Sequence, residues 1–171
     1  SDGQAALETG DFFTTWANRY DSDMPRTLTE PLSEDDVFPM GVGEVVPVHL
    51  PGHTSEGMGF HLPHLSTLVV GALLPRADRP TRWDLPGGSL MDIISSFKHM
   101  KRLEVTSIVP LQGPAIRGAE HVQEVLTRHL KFFEEAAANE GQPPVSWDRP
   151  ASTAVWLTPR TPWPLEEQES V

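Results

Sequence analysis

Residues 45–60 read VVPVHLPGHTSEGMGF, and this stretch decides the fold. The β-branched run Val45-Val46-Pro47-Val48 predicts a strand, and Pro51-Gly52 supplies the turn residues that end it. MGFHLP (58–63) and TLVVGALL (67–74) lie on either side of PHLS, which predicts a β-hairpin. LVVGALL shows no polar alternation, so both faces of that strand are expected to be buried. His53 sits directly after the Pro-Gly turn.

Downstream, the loop PRADRPTRWDLPGG leads into a predicted helix. Ser89 is set three residues before Asp92, an arrangement in which the serine oxygen accepts from a first-turn N–H. Leu90, Ile93, Ile94, Phe97 and Leu103 follow at helical spacing. SIVPLQGP (107–114) predicts a short strand. AEHVQEVLTRHLKFFEEAAANE predicts a second helix, with Val122, Val125, Leu126, Leu130 and Phe133 on one face and Gly141 as its stop. Strand, hairpin, helix, strand, helix is an α/β order in which helices cover a sheet.

Upstream, Phe12, Phe13, Trp16 and Tyr20 predict a short amphipathic helix. Met24–Met40 is proline-broken and acidic around Glu34-Asp35-Asp36, an extended connection with at most one short strand. The domain expectation is therefore a helix and connection over 1–44, an αβ body over 45–141, and a Pro/Trp-rich tail over 142–171. The tail carries Trp147, Trp156 and Trp163 and is expected to dock on this body or on a partner, because tryptophan is costly to leave in water.

The 171 residues carry a formal charge of −11 and no cysteine. That balance excludes a phosphate-backbone footprint, so no nucleic-acid partner is expected. It favours a soluble chain and a neutral or cationic partner. Thiol nucleophiles, disulfides and zinc ribbons are excluded outright. There is no apolar run of about 18 residues, so no membrane span is expected. The compartment stays open between cytoplasmic and exported. Ser1 stands first in place of Met, which suggests a processed, trimmed or incomplete chain.

The segment Leu50-Pro51-Gly52-His53-Thr54, between a strand and a hairpin, resembles the P-G-H-T signature of the metallo-β-lactamase-fold superfamily. DMPRTLTEPL, HLPGHTSEG, HLPHLSTLVVGALL and IVPLQGP resemble a general-hydrolase branch of that superfamily, and the likeness runs from about Met24 to Glu135. It implies the C-terminal αβ half of an αββα sandwich, with a Pro/Trp-rich extension. It also implies hydrolysis by a metal-bound hydroxide, held by an H-x-H-x-D-H motif, the P-G-H-T histidine, the aspartate of a Gly-Asp strand end and the histidine of a Pro-Gly-His-Gly turn.

This sequence departs from that pattern. H-x-H-x-D-H is absent. Gly71-Ala72 stands where Gly-Asp is expected, and Gln112 where the second-half histidine belongs. Zinc needs three or four converging donors, whereas alanine has none and an amide is a poor ligand. Of the second-half positions only His53 matches. Truncation of an active enzyme would remove the first motif but leave Asp and His in the other two places.

His53, Ala72 and Gln112 are thus expected to line a vestigial cleft, with no catalytic residue and no metal ligand set. A small-molecule binder using this cleft is a weaker reading. His49, His61 and His64 give no converging spacing for a new metal site, and His99, His121 and His129 are expected to be packed or solvated. Ser55 and Asp84 are the residue types that a triad with His53 would need, but no nucleophile-elbow motif supports them. The expected function is a catalytically silent structural or binding subunit without a cofactor, paired with a protein partner or a second copy over an otherwise exposed sheet face. The alternative is part of a metal-dependent hydrolase, with zinc bound through ligands that another chain supplies.

Overall fold

The computed structural model describes residues 32–84 and 87–144. The predicted N-terminal helix over Phe12–Tyr20 and the tail tryptophans lie outside these residues. Strands β1 (Phe38–Met40), β2 (Gly43–His49), β3 (Met58–Leu62), β4 (Thr67–Val70), β5 (Ser107–Val109) and β6 (Ile116–Arg117) form one sheet in chain order. All neighbouring pairs are antiparallel except β4–β5. Helix α1 (Leu90–Arg102) makes the β4–β5 crossover, as a parallel pair requires. Helix α2 (Ala119–Ala138) follows β6.

The local chemistry explains these boundaries. Ser89 is extended, and its side chain accepts from the Asp92 N–H at 3.2 Å, so α1 begins where the Ser-x-x-Asp spacing places it. His99, Lys101 and Arg102 occupy its last turn, opposite in sign to the partial charge of a helix C-terminus. At the end of α2, Gly141 has φ +84° and its N–H donates to the Ala136 carbonyl at 2.8 Å. The predicted glycine stop is a left-handed turn that satisfies a terminal carbonyl.

Both helices pack on one face of the sheet. Val48, Leu68, Val70, Ile108 and Ile116 meet Ile93, Ile94, Phe97 and Met100 of α1 and Val122, Val125, Leu126, Phe132 and Phe133 of α2 in one core. The other face carries a row set by the register Pro47↔Phe60↔Val69↔Val109, with Val45, Met58 and Leu62 beside it. Phe60 and Val109 are each 37% exposed, so this face is apolar and only partly covered by the described residues.

The structure corrects one expectation and adds two features. β4 is not buried on both faces: Leu68 and Val70 point into the core, while Thr67 and Val69 are half-buried on the outer face. The run LVVGALL leaves the strand at Gly71, and Leu73 and Leu74 are buried from the turn beyond it. β6, only two residues long, has no signature of its own and exists through its register with β5. In α2, Leu130 packs against the core as its spacing predicts, and of the two roles open to His129 the structure shows the packed one: its Nε2–H donates to the Ala77 carbonyl at 3.0 Å and its ring stacks on Phe97 at 5.4 Å.

Candidate functional site

β2 and β4 are each antiparallel to β3, and β5 is parallel to β4, so β2, β4 and β5 all run the same way. His53, Ala72 and Gln112 follow the carboxyl ends of these three strands. Such an end is where open α/β sheets place their ligand crevice.

The turn bearing His53 is fixed from several sides. Gly52 N–H donates to the Thr54 carbonyl at 2.9 Å, and Ser89 N–H donates to the Gly52 carbonyl at 2.8 Å. Ser96 Oγ donates to the Pro51 carbonyl at 2.7 Å, and Leu50 N–H donates to the Gly57 carbonyl at 2.7 Å. Gly52 has φ +134°, and a Cβ there would lie 2.4 Å from Ile93 Cγ1 and 2.5 Å from Ile93 N. Only glycine allows this turn to lie on the first turn of α1.

His53 is half-buried, and its ring is tied to the loop after β4. Nδ1 lies 3.1 Å from Thr81 Oγ1 and 3.2 Å from the Arg82 carbonyl. Thr81 is buried, and its hydroxyl donates to the Ala72 carbonyl at 2.7 Å. Thr81 therefore links His53 to Ala72. Nothing in the sequence marks it, because its role depends on a contact across 28 positions.

Gln112 is exposed. Its N–H donates to the Pro75 carbonyl at 2.9 Å, and Leu111 N–H donates to the Leu74 carbonyl at 3.2 Å, so the turn after β5 is laid against the turn after β4. Of the three candidate positions, the structure joins His53 and Ala72 through Thr81, while Gln112 is tied by its backbone to the turn after β4.

The remaining candidates are engaged elsewhere. Asp84 forms a fork with Arg82, with Arg82 Nε donating to Oδ1 at 2.8 Å. Burial raises the Asp84 carboxyl, but hydrogen bonding to Arg82, the guanidinium charge, a backbone hydrogen bond and nearby His53 together hold it below the ordinary range. The same hydrogen bond, opposed by burial and helped by the carboxylate charge, raises Arg82. Ser55 Oγ donates to Glu56 at 3.0 Å. His49 Nε2–H donates to the Ser55 carbonyl at 3.0 Å. His61 lies within β3, lowered by burial, and His64 lies in the 3-10 turn Pro63–Leu65 against Gly43.

The donor set does not fit a zinc ion. Ala72 offers a methyl and Gln112 an amide. Among the described residues, no three His, Cys, Asp or Glu side chains are grouped so that they could hold a metal. Nor is any helix among them long and apolar enough to cross a membrane.

No protein-family model matches the chain. An uncharacterized protein of Aquifex aeolicus is 36% identical over 69 residues, which cover 40% of this chain and 32% of that protein. Among solved structures, a metallo-β-lactamase family protein from Thermus thermophilus aligns with TM-score 0.57 and 14% identity, over 80% of this chain and 52% of that one. An archaeal metallo-β-lactamase superfamily protein from Sulfolobus tokodaii aligns with TM-score 0.55 and 14% identity, over 75% and 48%. TTHA1623, solved in a di-iron-bound form, aligns with TM-score 0.52 and 26% identity, over 70% and 57%. The chain therefore spans about half the length of the solved relatives it matches. Its mixed α/β fold is of the metallo-β-lactamase type.

Proposed function

We propose that this metallo-β-lactamase-fold chain is a catalytically silent domain, serving as a structural or binding subunit. The observation that carries the reading is the donor set at the strand ends. A methyl and an amide occupy the places beside His53 where the resemblance calls for a carboxylate and an imidazole. One imidazole is too few donors for a divalent transition metal. In the fold family the metal generates a hydroxide nucleophile near neutral pH; a site without ligands has no such nucleophile to offer.

The binding role draws on the other face of the sheet. The row Pro47, Phe60, Val69, Val109 is apolar across four strands, and sheets of this kind pack against a second layer about 10 Å away. A protein partner or a second copy meets that need.

Metal analysis of the purified chain and calorimetric zinc titration test the reading together. The expected result is no stoichiometric metal and weak zinc binding. Ala72→Asp combined with Gln112→His is expected to bind zinc at least about 100-fold more tightly, because two added donors then share one sheet end with His53. Stoichiometric metal in an assembly purified with a partner chain would instead favour a hydrolase part completed by outside ligands, a reading to which the half-length match with solved relatives lends weight, and metal held by the unmodified chain alone would overturn the ligand argument.

A further inference from the structure

We infer that Thr81 is a positioning residue that holds the neutral His53 ring as its Nδ1–H tautomer, so that the Pro-Gly-His-Thr turn presents a lone pair at Nε2. This role goes beyond the silent-domain reading and stands whether or not the cleft takes a metal.

The protons at the site decide it. A threonine hydroxyl has one proton to donate. Thr81 gives its proton to the Ala72 carbonyl at 2.7 Å, the shortest bond in the cluster, so toward His53 the oxygen acts as an acceptor. The second group facing Nδ1, the Arg82 carbonyl at 3.2 Å, is an acceptor under all conditions. Two acceptors facing one ring nitrogen require that nitrogen to carry the hydrogen. The reverse tautomer would set its Nδ1 lone pair against the Arg82 carbonyl and draw the Thr81 proton away from Ala72, exposing a half-buried carbonyl to a lost bond.

A neutral ring protonated at Nδ1 has its acceptor at Nε2. Backbone or carboxylate anchoring of one ring nitrogen is how a histidine is pre-set to offer the other to a ligand. His53 thus keeps an oriented acceptor although neither Ala72 nor Gln112 offers a metal donor. It takes a group that donates a hydrogen bond, such as a hydroxyl, an amide N–H or an ammonium, and a bare anionic oxygen is disfavoured while the ring is neutral.

Two other histidines make the test internal. His49 and His129 direct Nε2 at backbone carbonyls, at 3.0 Å each, and are therefore of the opposite tautomer. Long-range proton–nitrogen correlation spectra of the full 15N-labelled chain at about pH 9, above the ordinary imidazole range, read all seven histidines. The His53 pattern is assigned by its loss in His53→Gln.

His53 is expected in roughly tenfold excess of the Nδ1–H form, with His49 and His129 showing the opposite pattern. Thr81→Val is expected to cut the excess several-fold, leaving the part that the Arg82 carbonyl holds, and Thr81→Ser to restore it. An Nε2–H pattern for His53 in the unmodified chain would overturn the inference. So would an unchanged pattern in Thr81→Val with an intact amide spectrum. If Thr81→Val does not fold, Thr81→Ser and the unmodified chain still decide, since a lost excess in Thr81→Ser also counts against it. Zinc titration of the same samples keeps the silent-domain reading separately testable.

Discussion

Gly52 and His129 show how much a single position decides in this chain. Gly52 has a positive φ and sits against the backbone of Ile93, so any side chain meets both strain and collision. Gly52→Ala is expected to destabilise the fold by about 2–4 kcal/mol, read as a lowered urea midpoint with unchanged slope. His129 is the opposite case, a polar ring that the core accepts in neutral form. Burial, opposed by the hydrogen bond to Ala77 and helped by Arg128, lowers it from 6.5 to about 4. In the unfolded chain the ring protonates near its ordinary value. Stability from the neutral ring is therefore complete above about pH 6.5 and is lost progressively as the pH falls to about 4. A shift of that size corresponds to about 3 kcal/mol. His129→Phe keeps the stack on Phe97 and removes the titration. Urea midpoints at about pH 7, 5.5 and 4, which bracket the shift, are expected to fall less in this variant than in the unmodified chain.

The loop between β4 and α1 acts at the scale of an element, as a clasp between α2 and the His53 turn. Its Ala77 carbonyl accepts from His129, Trp83 sets its ring edge-on to Phe132 and Phe133 at 6.3 and 5.8 Å, and Thr81 and Arg82 hold His53. Trp83→Ala is expected to cost about 2–4 kcal/mol and to raise hydrogen exchange at the amides of 76–82 more than in β2–β4. An equal rise across the sheet would show that the loop has no separate role. None of this clasp was legible in the sequence, since its contacts join positions up to 52 apart and a Pro-rich loop has no periodicity to read. What was legible had local causes. The β-branched run before Pro51-Gly52 became β2, the Ser89-x-x-Asp92 spacing became the helix cap, and the 3.6-residue apolar repeat became α1 and α2. For His129 the choice between packed and solvated stayed open, because helical spacing places a residue on a face but does not show that a carbonyl from a distant loop will satisfy it there. The candidate site was read from a turn motif alone. The turn motif located His53 at a strand end, but its orientation depends on Thr81, which no motif announces.

At the scale of the molecule, the two faces of the sheet pose different problems. One is sealed by α1 and α2 over a core that includes Leu68, Ile108, Phe97 and Phe133, each fully excluded from water. The other carries Val45, Met58, Phe60, Leu62, Val69 and Val109 around a buried Pro47, and the register places no carboxylate among them although the chain carries a charge of −11. Acidic side chains are thus kept off the surface that a second layer would cover, while Glu34, Asp35 and Asp36 stand in the segment leading to β1 and resist close approach of an identical, equally acidic copy. Self-association through this face is therefore expected to strengthen with ionic strength, since salt screens the repulsion and leaves apolar burial in place. Sedimentation or light scattering of the full chain across roughly 0.05–0.5 M salt reads that trend. Phe60→Glu puts a charge in the middle of the apolar row and is expected to abolish both the association and its salt dependence. On a side chain already 37% exposed, the same change is expected to move the stability of the single chain by less than about 1 kcal/mol. If association persists in Phe60→Glu, the contact lies elsewhere and this face is not the docking surface. If the variant loses stability by several kcal/mol as a monomer, Phe60 is covered from within the chain and needs no partner.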